Sequence, residues 1–504
     1  MERVAIVDMG SNSWRLVVYG YEPGTPWWSL VDEIREAVRV GAGMGEERLL
    51  RPERIDRAIH TAAVFDAFCR ASGIDRIDAV ATSAIRDARN GGELLEEIRA
   101  RTALDPHVIS GREEARYGFL AIVNSTTLDD GFGLDMGGGS IQTLRIAGRG
   151  LTNAESLPLG SVSVSEEFLP GEKATAKGMK ALRRHVAEEL DALGWWTGGG
   201  PLVGIGGTIR NLAAAAMKRL ELPDIDVQGF TITREALEEL IELLAARPAS
   251  KRGGVAGIKP DRGDVILGGA LVLAAALDAG DFDELEVTEA GLREGIFFER
   301  LLGEGELFEA VRRASVENLA HRFTVDPDHT GHVAALSLAM FDGLGAAGLH
   351  DLGAKERELL WAACVLHDIG TAIDYDDHHR HSHYLILSAG LPGFTPRELV
   401  LIGLIARYHR KGNPDASELG DLEEKGDAAR LRLLCGVIRL AEQLERSRDG
   451  SVRAVHVGSA DGTVSLEAET DARGDPTVGI WAARRNSDLL AEAIGRPVEI
   501  EAPA

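Results

Sequence analysis

Two short strings, Asp8-Met9-Gly10-Ser11-Asn12-Ser13 and Asp135-Met136-Gly137-Gly138-Gly139-Ser140, stand 127 residues apart, and each follows a short apolar run. Val4-Ala5-Ile6-Val7 and Gly131-Phe132-Gly133-Leu134 read as buried strands that stop at an aspartate. Glycines beyond each aspartate let backbone N–H groups reach a ligand with no Cβ in the way, and the serine hydroxyls add donors. Two such turns facing each other make a clamp for a phosphate chain, with Asp8 and Asp135 free to hold Mg²⁺ or a water. Phosphoryl chemistry is the first functional expectation.

A chain of 504 residues exceeds a single hydrophobic core and predicts three or four domains. Acidic residues outnumber basic ones, 80 to 55, for a formal charge of −25. With no basic tract, nucleic acid and an anionic membrane surface are not expected partners. An anionic substrate must then be met by local arginines, lysines, backbone N–H groups and metal ions. Three cysteines, Cys69, Cys364 and Cys435, are too few for a disulfide framework and fit a reducing cytoplasm. The chain opens on a strand rather than a charged-then-apolar leader, so no signal peptide is expected. The longest apolar run, Val265 to Leu277, is 13 residues, short of the roughly 20 that cross a bilayer. It reads as a buried helix in a soluble, cytoplasmic protein.

Residues 1–122 alternate strand and helix patterns: Trp14 to Tyr21, Ile77 to Thr82 and Pro106 to Ile109 as strands, and Arg51 to Ser72 as an amphipathic helix. Residues 123–302 restart with the second Asp-Gly turn and run through Gly206-Gly207-Thr208 to a helix at Gly291 to Leu302, which predicts a second α/β lobe. Residues 303–448 read as all-helical, with apolar spacing of three to four in Val333 to Leu344 and Leu359 to Leu366. Ten of the fourteen histidines fall between His321 and His409. Residues 449–504 return to strand patterns at Val452 to Val457, Thr463 to Ala468 and Val478 to Trp481, then end on a helix and a strand, as a small α+β module.

Several strings together resemble the exopolyphosphatase and guanosine pentaphosphate phosphohydrolase (Ppx/GppA) family. They are the two Asp-Gly turns, Ala81-Thr82-Ser83-Ala84-Ile85-Arg86-Asp87-Ala88, Ile109-Ser110-Gly111-Arg112-Glu113-Glu114-Ala115-Arg116, Leu157-Pro158-Leu159-Gly160, Gly206-Gly207-Thr208, Leu292-Arg293-Glu294-Gly295, His378-His379-Arg380-His381-Ser382 and Arg407-Tyr408-His409-Arg410-Lys411. The resemblance implies two actin-like/Hsp70-like (ribonuclease H-like) lobes, an all-helical HD-type domain, Mg²⁺ dependence and a homodimer. It makes Glu114 the catalytic carboxylate that orients or deprotonates the attacking water. Asp8 and Asp135 are then metal or water holders, with Gly10, Ser11, Asn12, Ser13, Gly137, Gly138, Gly139 and Ser140 as the phosphate cradle. Arg86 neutralises phosphate, and Gly206, Gly207 and Thr208 form a third loop. Where the family usually has Glu, this chain has Gln142, which keeps an acceptor oxygen but is a weaker Mg²⁺ ligand.

In the helical domain, His332, His367, Asp368 and Glu442 resemble the metal-binding order of HD-domain phosphohydrolases, with Glu442 where Asp is usual, so a transition metal is a second expected cofactor. The cluster from His378 to His383 reads as a polar, hydrogen-bonded surface. The expected activity is Mg²⁺-assisted hydrolysis of the terminal orthophosphate from inorganic polyphosphate. Guanosine pentaphosphate (pppGpp) is the alternative substrate. An actin-like kinase or ATPase, or a weakly catalytic polyphosphate or alarmone binder, is the competing class.

Overall fold

The computed structural model describes residues 1–45, 47–323, 325–470 and 475–502. The chain forms two compact units, one of residues 1–220 with 227–311, the other of residues 221–226 with 312–504.

In the first unit, β1 (Glu2–Met9), β2 (Trp14–Tyr21), β3 (Trp28–Glu36), β4 (Ile77–Ala81) and β5 (His107–Val108) make a sheet of order β3-β2-β1-β4-β5. The β1–β2 and β2–β3 pairs are antiparallel, and β1–β4 and β4–β5 are parallel. A second sheet of β6 (Gly131–Met136), β7 (Ile141–Ala147), β8 (Gly150–Leu157), β9 (Leu202–Ile205), β10 (Thr231–Thr233) and β11 (Glu284–Val287) has the order β10-β11-β9-β6-β7-β8. Read from β8, its strands β8-β7-β6-β9-β11 repeat the first order and the first set of directions, with β10 as an antiparallel addition. The repeated turn in the sequence is thus the visible part of a repeated lobe, and the expectation of two like α/β lobes holds.

β1 and β6 are central because their apolar runs are covered on both faces, and all six residues of β6 are buried. The Gly111–Val123 helix packs its apolar face into the core with the Leu292–Leu302 helix. Its start is fixed by a reciprocal cap: the Glu113 backbone N–H donates to Ser110 Oγ at 3.2 Å, and the Ser110 N–H donates to Glu113 Oε2 at 2.8 Å. Ile266–Gly280 is the expected buried helix. Residues 303–311 belong with the first unit, where the Phe308 N–H donates to Asn124 Oδ1 at 2.9 Å.

The second unit is built on helices at Pro327–Ala346, Ala354–Leu366, His378–Ala389, Pro396–Tyr408 and Asp427–Leu444. Its core runs on without a break into β12 (Val452–Ala460), β13 (Thr463–Thr470) and β14 (Val498–Glu501). One sequence expectation fails here. Val478 to Trp481 lies in a helix, Thr477–Arg484, not a strand. A Cβ on Gly479 would come within 2.4 Å of Leu444 O, and Ile480, Ala482 and Ala483 are buried, so close packing on the preceding helix overrides the strand preference of Val, Ile and Trp. Among the described residues no helix is long and apolar enough to cross a membrane.

Candidate active site

The two Asp-Gly turns are the same turn built twice. A Cβ added to Gly10 would lie 3.0 Å from Ser13 O, and one added to Gly137 would lie 3.1 Å from Ser140 O. The strand register places Asp8 opposite Arg15 and Asp135 opposite Gln142. The turns face each other closely: a Cβ on Gly138 would be 3.2 Å from Ser11 Cβ, and one on Gly139 would be 2.7 Å from Ser83 Oγ. Glycine at 138 and 139 therefore serves the close approach of the two lobes rather than an unusual φ. Ser11 and Ser83 share a hydrogen bond of 3.0 Å. The second turn is held from behind by residues 160–163. The Ser161 and Val162 N–H groups donate to Gly137 O and Gly138 O at 3.1 and 2.8 Å, and a Cβ on Gly160 would come within 2.4 Å of the Gly138 carbonyl.

Glu114 is buried one helical turn before Gly118, whose added Cβ would lie 3.7 Å from Asp135 Oδ2. Spacing of i, i+4 puts both on the helix face that looks at Asp135. Arg86 Nη1 donates to Glu114 Oε2 at 3.1 Å and to Ile109 O at 3.0 Å. Burial pushes the Glu114 carboxyl up to about 7, against the pull of Arg86 and with a further push from Asp135. Asp135 is raised to about 6 by burial and by Asp8. Asp8 is raised by burial, opposed by Arg293 at 3.6 Å and by Arg15. A cavity of about 740 Å³ is lined by Arg86, Arg112, Gly139, Ser140 and β8 residues that include Ser156.

Gln142 turns its amide NH₂ to Ser140 Oγ at 3.0 Å and Ser156 Oγ at 3.1 Å, so it fixes the last serine of the cradle. The third loop begins the Gly207–Arg219 helix. Gly206 has φ +112, and its added Cβ would overlap Met136 O at 2.4 Å. Thr208 is fully buried.

The sequence reading missed a group of cations beside these carboxylates. Arg15 is lowered to about 9 by burial and by Arg293 and Arg210, and Arg262 is lowered to about 10 by burial and by Arg35. Lys259 is lowered by burial, Arg35, Arg15 and Arg210. Arg293 belonged to a quoted string but received no role. The others are scattered through the chain and carry no local pattern; only the register of Arg15 opposite Asp8 marks it.

In the helical unit the expected ligand His332 is not with the others. Its Nε2 lies 2.7 Å from Val452 O and 3.5 Å from Glu445 Oε2. His329, three residues earlier, is the one that joins His367, Asp368 and Glu442, with its Nε2 3.2 Å from Glu442 Oε2. His378 and His379 are buried rather than a polar surface, and His378 joins Asp368 and His409. His367, Asp368 and Glu442 are brought together as expected, with His367 Nε2 3.2 Å from Glu442 Oε2.

The Ppx/GppA phosphatase family matches residues 17–304, and its domain III matches residues 311–472. The Aquifex aeolicus Ppx/GppA family member superposes with a TM-score of 0.52 at 28% identity, covering 60% of this chain and 98% of that one. An exopolyphosphatase from Cytophaga hutchinsonii gives 0.55 at 21% identity over 60% and 98%, a likeness of fold alone. An exopolyphosphatase-like protein gives 0.54 at 26% identity over 59% and 97%. With both family regions matched in order across most of its length, the chain belongs to the Ppx/GppA phosphatase family.

Proposed function

We propose that this protein is an exopolyphosphatase that removes the terminal orthophosphate of inorganic polyphosphate by attack of water. The observation that carries the reading is Glu114, a buried carboxylate raised to about 7 beside two apposed phosphate-type turns. A base that titrates near neutrality is matched to proton transfer at physiological pH. The terminal phosphoryl oxygens are met by backbone N–H groups and hydroxyls of residues 10–13 and 137–140, and Arg86 offsets their charge. Glu114 takes a proton from the water, whose oxygen attacks phosphorus. The P–O bond to the penultimate phosphate breaks, and the chain leaves one unit shorter.

Asp8 and Asp135, at the ends of β1 and β6 beside the two apposed turns, are the carboxylates that would hold a hard divalent cation, and Asp8 raises Asp135 in its absence. Mg²⁺ suits two carboxylates at a phosphate site, since that ion keeps several water and substrate oxygens. When bound, Mg²⁺ supplies charge neutralisation to the phosphate chain. Burial and neighbouring cations, among them Arg210 and Arg35, lower the proton affinity of Arg15, Arg262 and Lys259, an arrangement that an anionic chain relieves.

Guanosine pentaphosphate presents the same terminal phosphoryl group and would use Glu114 alike. Phosphate release from long-chain polyphosphate, guanosine pentaphosphate and ATP, measured side by side with and without Mg²⁺, tests the proposal. Mg²⁺-dependent release that is fastest from polyphosphate supports it, and preference for either nucleotide replaces it.

A further inference from the structure

One side of the cradle opens onto a space that the cation group does not line. The cavity of about 740 Å³ is bounded by Arg86, Asp87, Arg112, Ser140, Glu155 and Ser156, and none of Arg15, Arg210, Lys259, Arg262 or Arg293 is among its lining residues. Ser140 ends the second turn and Arg86 donates to Glu114, so the cavity adjoins the place where the terminal phosphoryl group is cut.

The hydroxyls on this wall have a set polarity. The Gln142 amide NH₂ donates to Ser140 Oγ at 3.0 Å and to Ser156 Oγ at 3.1 Å. A serine oxygen that accepts keeps its own hydrogen to donate. Neither hydroxyl has an acceptor among the described residues, and Ser140 is 4% exposed. Both hydrogens are therefore left for a ligand in the cavity that the two serines line. A carboxylate at position 142 would take both hydrogens instead, so this pair of donors depends on glutamine there.

Arg112 adds charge to the same wall. Gly111 before it lies so close to β8 that its added Cβ would be 3.0 Å from Ser156 Oγ. Arg112 is exposed and pairs with no carboxylate among the described residues. Two hydroxyl donors and two guanidinium groups around one space suit a phosphate oxyanion. Asp87 and Glu155 offset the two arginines. A long polyanion would meet both carboxylates, whereas a single small oxyanion needs only the donors.

We propose that this cavity is a subsite for orthophosphate, in which Ser140, Ser156 and Arg112 take the released product from Arg86 while the shortened chain stays in the cleft. The proposal rests on the exopolyphosphatase reading, because a chain cut at its end still fills its own approach and the product needs a second way out.

The test uses the full chain carrying Glu114→Gln, with Mg²⁺, so that polyphosphate binds without turnover. With polyphosphate saturating, equilibrium dialysis against radiolabelled orthophosphate is expected to find one phosphate per chain. Arg112→Ala, Ser156→Ala and Gln142→Glu are each expected to weaken orthophosphate binding by about tenfold. Arg112→Ala and Ser156→Ala should still bind polyphosphate, which reports that both are folded. Orthophosphate that polyphosphate displaces, that the parent and both of these variants hold equally, or that does not bind at all would overturn the proposal. Failure of the exopolyphosphatase reading shows separately, as no phosphate release from polyphosphate by the wild-type chain.

Discussion

Arg86 Nη1 sits 3.1 Å from Glu114 Oε2, yet the carboxyl is pushed up to about 7 rather than held down. Burial in the helix face opposite Asp135 outweighs the ion pair, so Arg86 restrains a larger upward shift. The rate should therefore fall as pH drops below about 7, because only ionised Glu114 accepts the water's proton. Arg86→Gln should lower the rate and also move the acid limb of kcat/KM to higher pH. A pH series on both proteins checks this, and a limb that stays in place would show that Glu114 does not set it.

The same shift has a stability consequence. Glu114 and Asp135 are raised to about 7 and about 6, against unfolded values of about 4.3 and 3.9. Their protonated forms favour the folded state, so this contribution is complete below about pH 4 and is lost as pH rises through the folded values. Glu114→Gln should accordingly stabilise the protein at pH 8, by up to about 3 kcal/mol, and should leave it nearly unchanged at pH 4. Urea unfolding of both proteins at the two pH values measures the difference.

Gly160 has no space for a side chain, since its added Cβ would meet the Gly138 and Gly139 carbonyl carbons at 2.4 and 2.3 Å. Gly160→Ala should displace the second turn and reduce kcat/KM by at least about tenfold, with a stability loss of roughly 1–3 kcal/mol. Gly92→Ala is the control, because an added Cβ there meets nothing within 4 Å. Thermal melts and phosphate release on the pair decide whether position 160 matters through space.

Gln142 lies opposite Asp135 in the β6–β7 register and donates to Ser140 and Ser156. Gln142→Glu adds an anionic oxygen beside Asp135 while both serine hydroxyls can turn to donate. The Mg²⁺ concentration for half-maximal activity should fall, with a smaller change at saturation. A raised KM at every Mg²⁺ level would instead make residue 142 a neighbour of the substrate.

The parts of this fold that were legible in the sequence are those with a strong local signature. β1 and β6 end at Asp8 and Asp135 after apolar runs, and the glycines beyond them repeat, so the paired turns were visible without a structure. β3 was not, because it is a largely exposed edge strand with no apolar alternation. Glu114 and Arg86 came from strings shared with a family; by pattern alone each is an ordinary helical charge. His332 and His329 share one helix three residues apart, and order along the chain does not say which faces Glu442. Arg15, Arg210 and Arg262 assemble only when the strand, helix and turn that carry them meet.

The central claim is that Glu114 is the base, and Glu114→Gln tests it most directly because the amide keeps the shape and loses only the proton acceptor. Steady-state phosphate release from polyphosphate should fall by about 10²–10⁴-fold while polyphosphate binding, measured by titration, stays close to wild type. A variant that keeps more than about a third of the wild-type rate, far outside that range, would contradict the account.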